Sequence, residues 1–175
     1  MKTVVIYKSK TGFTKRYAEW IAKDLSADIF DIKKVNINMI TKYDAIIYGG
    51  SLYAVGIIGV KFITKNIDKL KSKKVVVFAT GASPSREEVL NDVINKNFTT
   101  EQQKYIKFFY FRGGFNYSKL NLFDKFLMTL LKWKIKNKKK DTLTTDEIGM
   151  LAIYEKSVDF TKKEHITAII NYVNT

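Results

Sequence analysis

The segment Tyr7-Lys8-Ser9-Lys10-Thr11-Gly12-Phe13-Thr14 constrains this chain more than any other. It follows the apolar run Thr3–Tyr7 and opens into helical spacing at Tyr17, Ile21 and Leu25, with Ala18 and Ala22 beside them. A β-branched strand that turns through hydroxyls and a glycine into a helix gathers backbone N–H groups where the helix dipole is positive. Gly12 lets the backbone approach a ligand closely, and Thr14 reads as the N-cap. A ligand-free capped turn is the plainer alternative, but the hydroxyl-rich pattern at the first strand favours a phosphate cradle.

The chemistry such a site can carry is narrowed by what the chain lacks. With no cysteine, disulfides, iron–sulfur clusters and thiol catalysis are excluded. A single histidine, His165, argues against a zinc or copper site. Redox or group-transfer chemistry must then come from an organic cofactor. At 175 residues the chain is expected to form one domain spanning 1–175. A strand so close to Met1 leaves no place for a signal peptide, and no apolar run spans a bilayer. The expected location is cytoplasmic, with peripheral membrane association left open.

Short apolar runs alternate with helical segments, which predicts βαβ units and a parallel sheet. Strands are expected at Thr3–Tyr7, Ala27–Asp31, Asp44–Tyr48, Lys74–Ala79 and Tyr105–Phe111. Gly49–Gly56 and Thr80–Pro84 read as exit turns, and Ile57–Leu70 as a helix. Ser85 reads as a helix cap with Glu88 three residues on, and Lys162–Val173 as a closing helix. The implied fold is α/β, a doubly wound five-stranded sheet in the order 2-1-3-4-5 with helices on both faces. Its switch point gathers three turns at one sheet edge: Ser9–Thr14, Gly49–Gly56 and Thr80–Ser83.

Competing phosphate sites fail on their residues. A Walker loop is absent, and a dinucleotide fingerprint needs three glycines where only Gly12 stands. A phospho-receiver needs acids where Lys8-Ser9 and Tyr48-Gly49 lie. A phosphate monoester carrying a flat ring remains, which is FMN. At this point the chain resembles the flavodoxins: Ser9-Lys10-Thr11-Gly12-Phe13-Thr14 matches their phosphate loop. That resemblance implies that Ser9, Lys10, Thr11, Gly12, Phe13 and Thr14 hold the phosphate end. Ser51, Leu52, Tyr53 and Ala54 would line one face of the isoalloxazine, with Thr80, Gly81, Ala82 and Ser83 on the other side. Tyr53 is the candidate stacking ring. The second loop has no aromatic, so the far face is expected to be open to a substrate.

The net charge of +14 is partly a lysine-for-arginine bias, since only three of the 31 basic residues are Arg. It is also local. From Tyr117 to Lys140 there are eight lysines against Asp124 alone, a net +7. This run lies in a long segment, 113–160, of the kind that usually carries function in compact domains. Leu120–Lys136 has helical spacing, with Leu120, Phe123, Leu127, Leu130 and Leu131 on one side, and Lys125, Lys132, Lys136 and Lys139 fall near a common opposite stripe. Leu122, Phe126, Met128 and Trp133 widen the apolar surface. Such a helix either packs on the core or lies on an anionic membrane through 117–140. Thr144-Thr145-Asp146-Glu147 could cap a further helix.

The insert is similar to the long loop of menaquinone-dependent protoporphyrinogen dehydrogenases, flavodoxin-fold enzymes of heme synthesis. The matching residues are Phe111-Arg112-Gly113-Gly114, Tyr117-Ser118-Lys119-Leu120 and Phe123-Asp124-Lys125-Phe126-Leu127-Met128; Glu147–Lys156 departs from the pattern. The resemblance implies an FMN-dependent oxidoreductase that passes a hydride and a proton from a porphyrinogen-like donor to FMN, and electrons on to a quinone. Arg112, Lys125, Lys132, Trp133 and Lys136 are the candidate substrate or membrane contacts; no side chain stands out as catalytic and no metal is expected. A flavodoxin-type electron carrier without its own substrate is the alternative, though such carriers are typically acidic. A nucleic-acid module is disfavoured by the scarcity of arginine and the absence of a recognised motif.

Overall fold

The structure, a computed structural model, describes residues 1–155 and 157–175. The first half of the chain runs β1 (Thr3–Lys8), α1 (Phe13–Asp24), β2 (Asp28–Asp31), α2 (Ile37–Ile40), β3 (Ala45–Tyr53), β4 (Gly56–Ile57), α3 (Lys61–Thr64) and α4 (Ile67–Leu70). The second half runs β5 (Lys74–Gly81), α5 (Glu87–Asn97), α6 (Thr100–Gln103), β6 (Ile106–Arg112), β7 (Gly114–Phe115), α7 (Leu122–Lys136), α8 (Thr145–Glu155), β8 (Val158–Asp159) and α9 (Thr167–Asn174). The parallel strands lie in the order β2-β1-β3-β5-β6, which is the expected 2-1-3-4-5 arrangement; β4 adds an antiparallel fragment to β3.

Alternation along the strands divides the core between the two sheet faces. Val4, Ile6, Ile46, Tyr48, Val75 and Val77 pack on one side against Ile63, Leu70 and Val93. Val5, Ile47, Val76 and Phe78 pack on the other against Tyr17, Ile21, Ile169 and Val173 of α1 and α9. A sheet covered on both faces needs continuous apolar runs in its strands, which β1, β3 and β5 supply at positions 4–6, 45–48 and 75–79.

Several local expectations are corrected. The exit turn expected from Gly49 onward does not begin there: β3 continues to Tyr53, and the turn falls at Ala54-Val55. The glycines there serve close packing. A Cβ on Gly49 would lie 2.2 Å from the Phe78 ring, and one on Gly50 would lie 2.4 Å from Ile57 Cγ2. The helix expected over Ile57–Leu70 is a hairpin return followed by two short helices. Ile57 pairs with Leu52, and Gly59 has φ +80°, outside the helical region. Helix α5 starts at Glu87 after Arg86 in extended conformation, so Ser85 lies one residue too early to cap it. The closing helix begins as a 3-10 turn, Lys163–Ile166, before α9.

After β6 the chain leaves the sheet and forms β7, α7, α8 and β8 before α9 returns to the core. Strand β7 pairs antiparallel with β8, closing the base of this insert. Asn121 caps α7 by accepting from the Asp124 N–H at 2.8 Å. Thr144 and Glu147 form a reciprocal capping box at the start of α8. Of the stretch Glu147–Lys156, Lys156 lies outside the described residues.

Candidate functional site

The crossover from β1 to α1 is built for an anion. Gly12 stands at the N-cap with φ 97°, a left-handed conformation that a side chain would strain. Its N–H donates to Ser9 Oγ at 3.1 Å, which fixes the turn. No side chain among the described residues caps α1, and its first turn carries no acid. The first amides of the helix therefore face outward at the positive end of the dipole, where an anion is the partner they lack.

Thr14 is not the cap expected from the sequence. It lies inside the first turn, fully buried, with Oγ1 at 2.7 Å from Ser51 Oγ and 2.6 Å from Thr80 Oγ1. The Lys10 N–H donates to the same Ser51 hydroxyl at 3.2 Å. One hydroxyl from each of α1, β3 and β5 thus meets at the switch point and locks the three segments together. Each hydroxyl carries one proton, and the two contacts within the trio use two of the three. The third is left to donate to a neighbouring acceptor.

Above this node lies a cavity of about 590 Å³. Thr11 and Phe13 line it from the first crossover, Ser51–Ala54 from the end of β3, and Thr80–Ser83 from the end of β5. The last of these loops is fastened to β6. The Tyr110 hydroxyl donates to the Ser83 carbonyl at 2.7 Å, and Arg112 Nε donates to the Ala82 carbonyl at 3.1 Å. Burial pushes the Tyr110 hydroxyl up to about 12, so it remains a proton donor at neutral pH.

Tyr53 is 46% exposed at the rim, and Lys10 Nζ lies 4.2 Å from its ring centroid. The same ammonium reaches Asp124 Oδ2 at 2.5 Å. Asp124 is buried in the first turn of α7, so this ion pair ties the insert to the β1–α1 turn. The insert also contributes Leu127, Met128 and Leu131 to the cavity wall. Helix α7 thus gives the cavity an apolar wall.

The more distant candidates fall elsewhere. Arg112 does not line the cavity; its guanidinium sits 3.6 Å from the Phe160 ring centroid. Lys125, Lys132, Trp133 and Lys136 also lie outside the lining, on the flank of α7 turned from the cavity. Lys132 Nζ lies 5.2 Å from the Tyr154 ring centroid. Sequence reasoning missed Asp124 and Tyr110. Asp124 was detectable as the lone acid in a run of lysines, three residues after the helix-capping Asn121. Tyr110 gave no signal, because strand pairing alone decides which loop a strand aromatic touches.

The residues present fit FMN. The uncapped amides of α1, with the hydroxyls of Ser9 and Thr11, suit a phosphate monoester. The space between Ser51–Ala54 and Thr80–Ser83 suits a flat ring attached to it. Comparison with known proteins agrees with this reading of the fold. A family model described as a flavodoxin domain matches residues 4–143. An uncharacterized protein of Methanocaldococcus jannaschii is 30% identical over 128 residues, covering 70% of this chain and 83% of that protein. The structure of the Trp repressor binding protein from Bacillus subtilis is similar with a TM-score of 0.51 at 18% identity, over 66% of this chain and 85% of that one. A flavodoxin, WrbA-like protein from Agrobacterium tumefaciens is 24% identical over 55% of this chain and 68% of its own, with a TM-score of 0.45. The chain belongs to the flavodoxin-domain family, whose cofactor is FMN.

Proposed function

We propose that this chain is an FMN-dependent oxidoreductase of the protoporphyrinogen-dehydrogenase type, which takes electrons from a porphyrinogen-like donor and delivers them to a quinone. The observation that carries the proposal is the apolar wall which α7 adds to the flavin crevice. A carrier that only docks on protein partners has no need of a covered cavity beside its ring. Here Leu127, Met128 and Leu131 line the same cavity as the loop ends of β1, β3 and β5, and so present an apolar surface to whatever enters beside the flavin.

Bound FMN supplies the two-electron acceptor that none of these side chains provides. The chain's own residues bind, orient and exclude water. The α1 amides and the Ser9 and Thr11 hydroxyls take the phosphate, while the Thr14–Ser51–Thr80 node holds the three loops in register. Tyr110 keeps the Thr80–Ser83 loop against the ring site and stays protonated while doing so. Lys10, paired with Asp124 beside Tyr53, holds the insert's wall against the rim of the crevice.

The test is to mix FMN-loaded protein with protoporphyrinogen and a menaquinone analogue, and to follow porphyrin fluorescence. The expected result is quinone-dependent acceleration above the air-oxidised blank. A rate equal to the blank rejects this substrate and leaves a flavodoxin-type electron carrier with an acidic partner as the reading.

A further inference from the structure

Helix α7 has two apolar faces, and among the described residues only one is covered. Leu127, Met128 and Leu131 face the cavity, and Ile135 is buried. Leu122, Phe126, Leu130 and Trp133 recur at i, i+4, i+8 and i+11, so they form a second stripe along the helix, with Phe123 beside it. These five side chains are 86%, 60%, 47%, 68% and 66% exposed in that order. An apolar strip of this kind on a globular domain marks an interaction surface.

We propose that this stripe is a docking surface for an anionic lipid bilayer, with α7 lying in the plane of the headgroups. Charge selects the occupant. Lys125, Lys132 and Lys136 run along one edge of the stripe and Lys134 along the other, within a segment carrying a net +7. The one acid of that segment, Asp124, is turned inward to Lys10 and does not face the partner. Two copies of this chain would bring two such lysine-rimmed faces within a Debye length of about 8–10 Å, and repulsion opposes that dimer. Nucleic acid would satisfy the lysines but offers nothing to receive Leu122 and Leu130. A bilayer with anionic headgroups receives both the apolar side chains and the charge around them.

The docking stands apart from the flavin reading, because it is read as vesicle binding with or without FMN. Its geometry nevertheless has a consequence for that reading. The docked face and the cavity wall are opposite sides of one helix, about 10 Å across. A lipid-soluble electron acceptor would therefore leave the bilayer beside the cavity it enters.

The test is flotation of the full chain with phosphatidylcholine vesicles, with and without phosphatidylglycerol. Partitioning is expected to be at least tenfold stronger on the anionic vesicles at low salt and to weaken as salt rises. The triple variant L122S/F126S/W133S, checked for native circular dichroism and FMN binding, is expected to lose at least tenfold in partitioning. Trp133 emission should shift to the blue on anionic vesicles, and Trp133→Phe, which leaves Trp20, should abolish that shift. No vesicle binding, equal binding to both lipid compositions, or unchanged binding by the triple variant overturns the proposal. A blue shift that persists in Trp133→Phe overturns it as well.

Discussion

Thr14→Val replaces a buried hydroxyl with a methyl of nearly the same shape. The backbone and the volume of the α1 start are preserved, so the effect isolates the hydroxyl node. Two contacts disappear, to Ser51 Oγ at 2.7 Å and to Thr80 Oγ1 at 2.6 Å. At about 0.5–1.5 kcal/mol net for each hydrogen bond, the loss is about 1–3 kcal/mol. Ser51 keeps the Lys10 N–H, but Thr80 is buried and loses this partner, which places the expected cost toward the upper part of that range. Urea unfolding of the FMN-free protein should show a lower midpoint with an unchanged slope, since the surface exposed on unfolding is the same. FMN affinity should fall about tenfold or more, because the node sets the spacing between the phosphate turn and the two ring loops. Thr14→Ser retains the hydroxyl and should recover most of the affinity. A valine variant within about 0.5 kcal/mol of the parent, with unaltered FMN affinity, would refute the reasoning; typical surface substitutions stay within that margin.

Gly49→Ala should destabilise by about 1–3 kcal/mol through overpacking, read as a lowered Tm, because the new Cβ would meet the buried Phe78 ring. Asp124→Asn should free Lys10 and loosen the insert, so limited trypsin digestion should cut within 113–160 faster while the sheet core stays protected; an unchanged pattern would show that the pair does not hold α7 in place. The Asp159 carboxyl is lowered overall: burial pushes it up, but hydrogen bonds from Thr161 and Arg16 outweigh burial. A carboxyl lowered in the folded state stabilises above its ordinary value near 4 and loses that contribution as pH falls through the lowered value. The urea midpoint gap between the parent and Asp159→Asn should therefore be constant from about pH 7 to 5 and narrow below about pH 4.

The sheet was legible because strands buried on both faces must carry continuous apolar runs, and stretches such as Thr3-Val4-Val5-Ile6-Tyr7 and Lys74-Val75-Val76-Val77-Phe78 leave little alternative. The strand–turn–helix geometry at β1–α1 was legible for a related reason, since hydroxyls and a glycine between a strand and a helix form a local pattern. What failed locally was set by distant contacts. Gly49 and Gly50 look like turn residues in one dimension, yet they stay in β3 because Phe78 and Ile57 occupy the space a side chain would need. Ile57–Leu70 has helical periodicity, yet Ile57 is drawn into a hairpin with Leu52, and its N–H is taken by Asn97 at 2.8 Å. The apolar and basic stripes of α7 were visible as spacing. Which apolar stripe faces the cavity depends on Asp124 reaching Lys10 across 114 residues, and no local pattern carries that information.

Titration of the FMN-free protein with FMN and, separately, with riboflavin tests the central claim most directly. If the β1–α1 crossover grips a phosphate, one equivalent of FMN should bind and quench the flavin fluorescence, and riboflavin, which has the same ring and no phosphate, should bind at least tenfold more weakly. Equal affinity for the two flavins, or no binding of either, would contradict it.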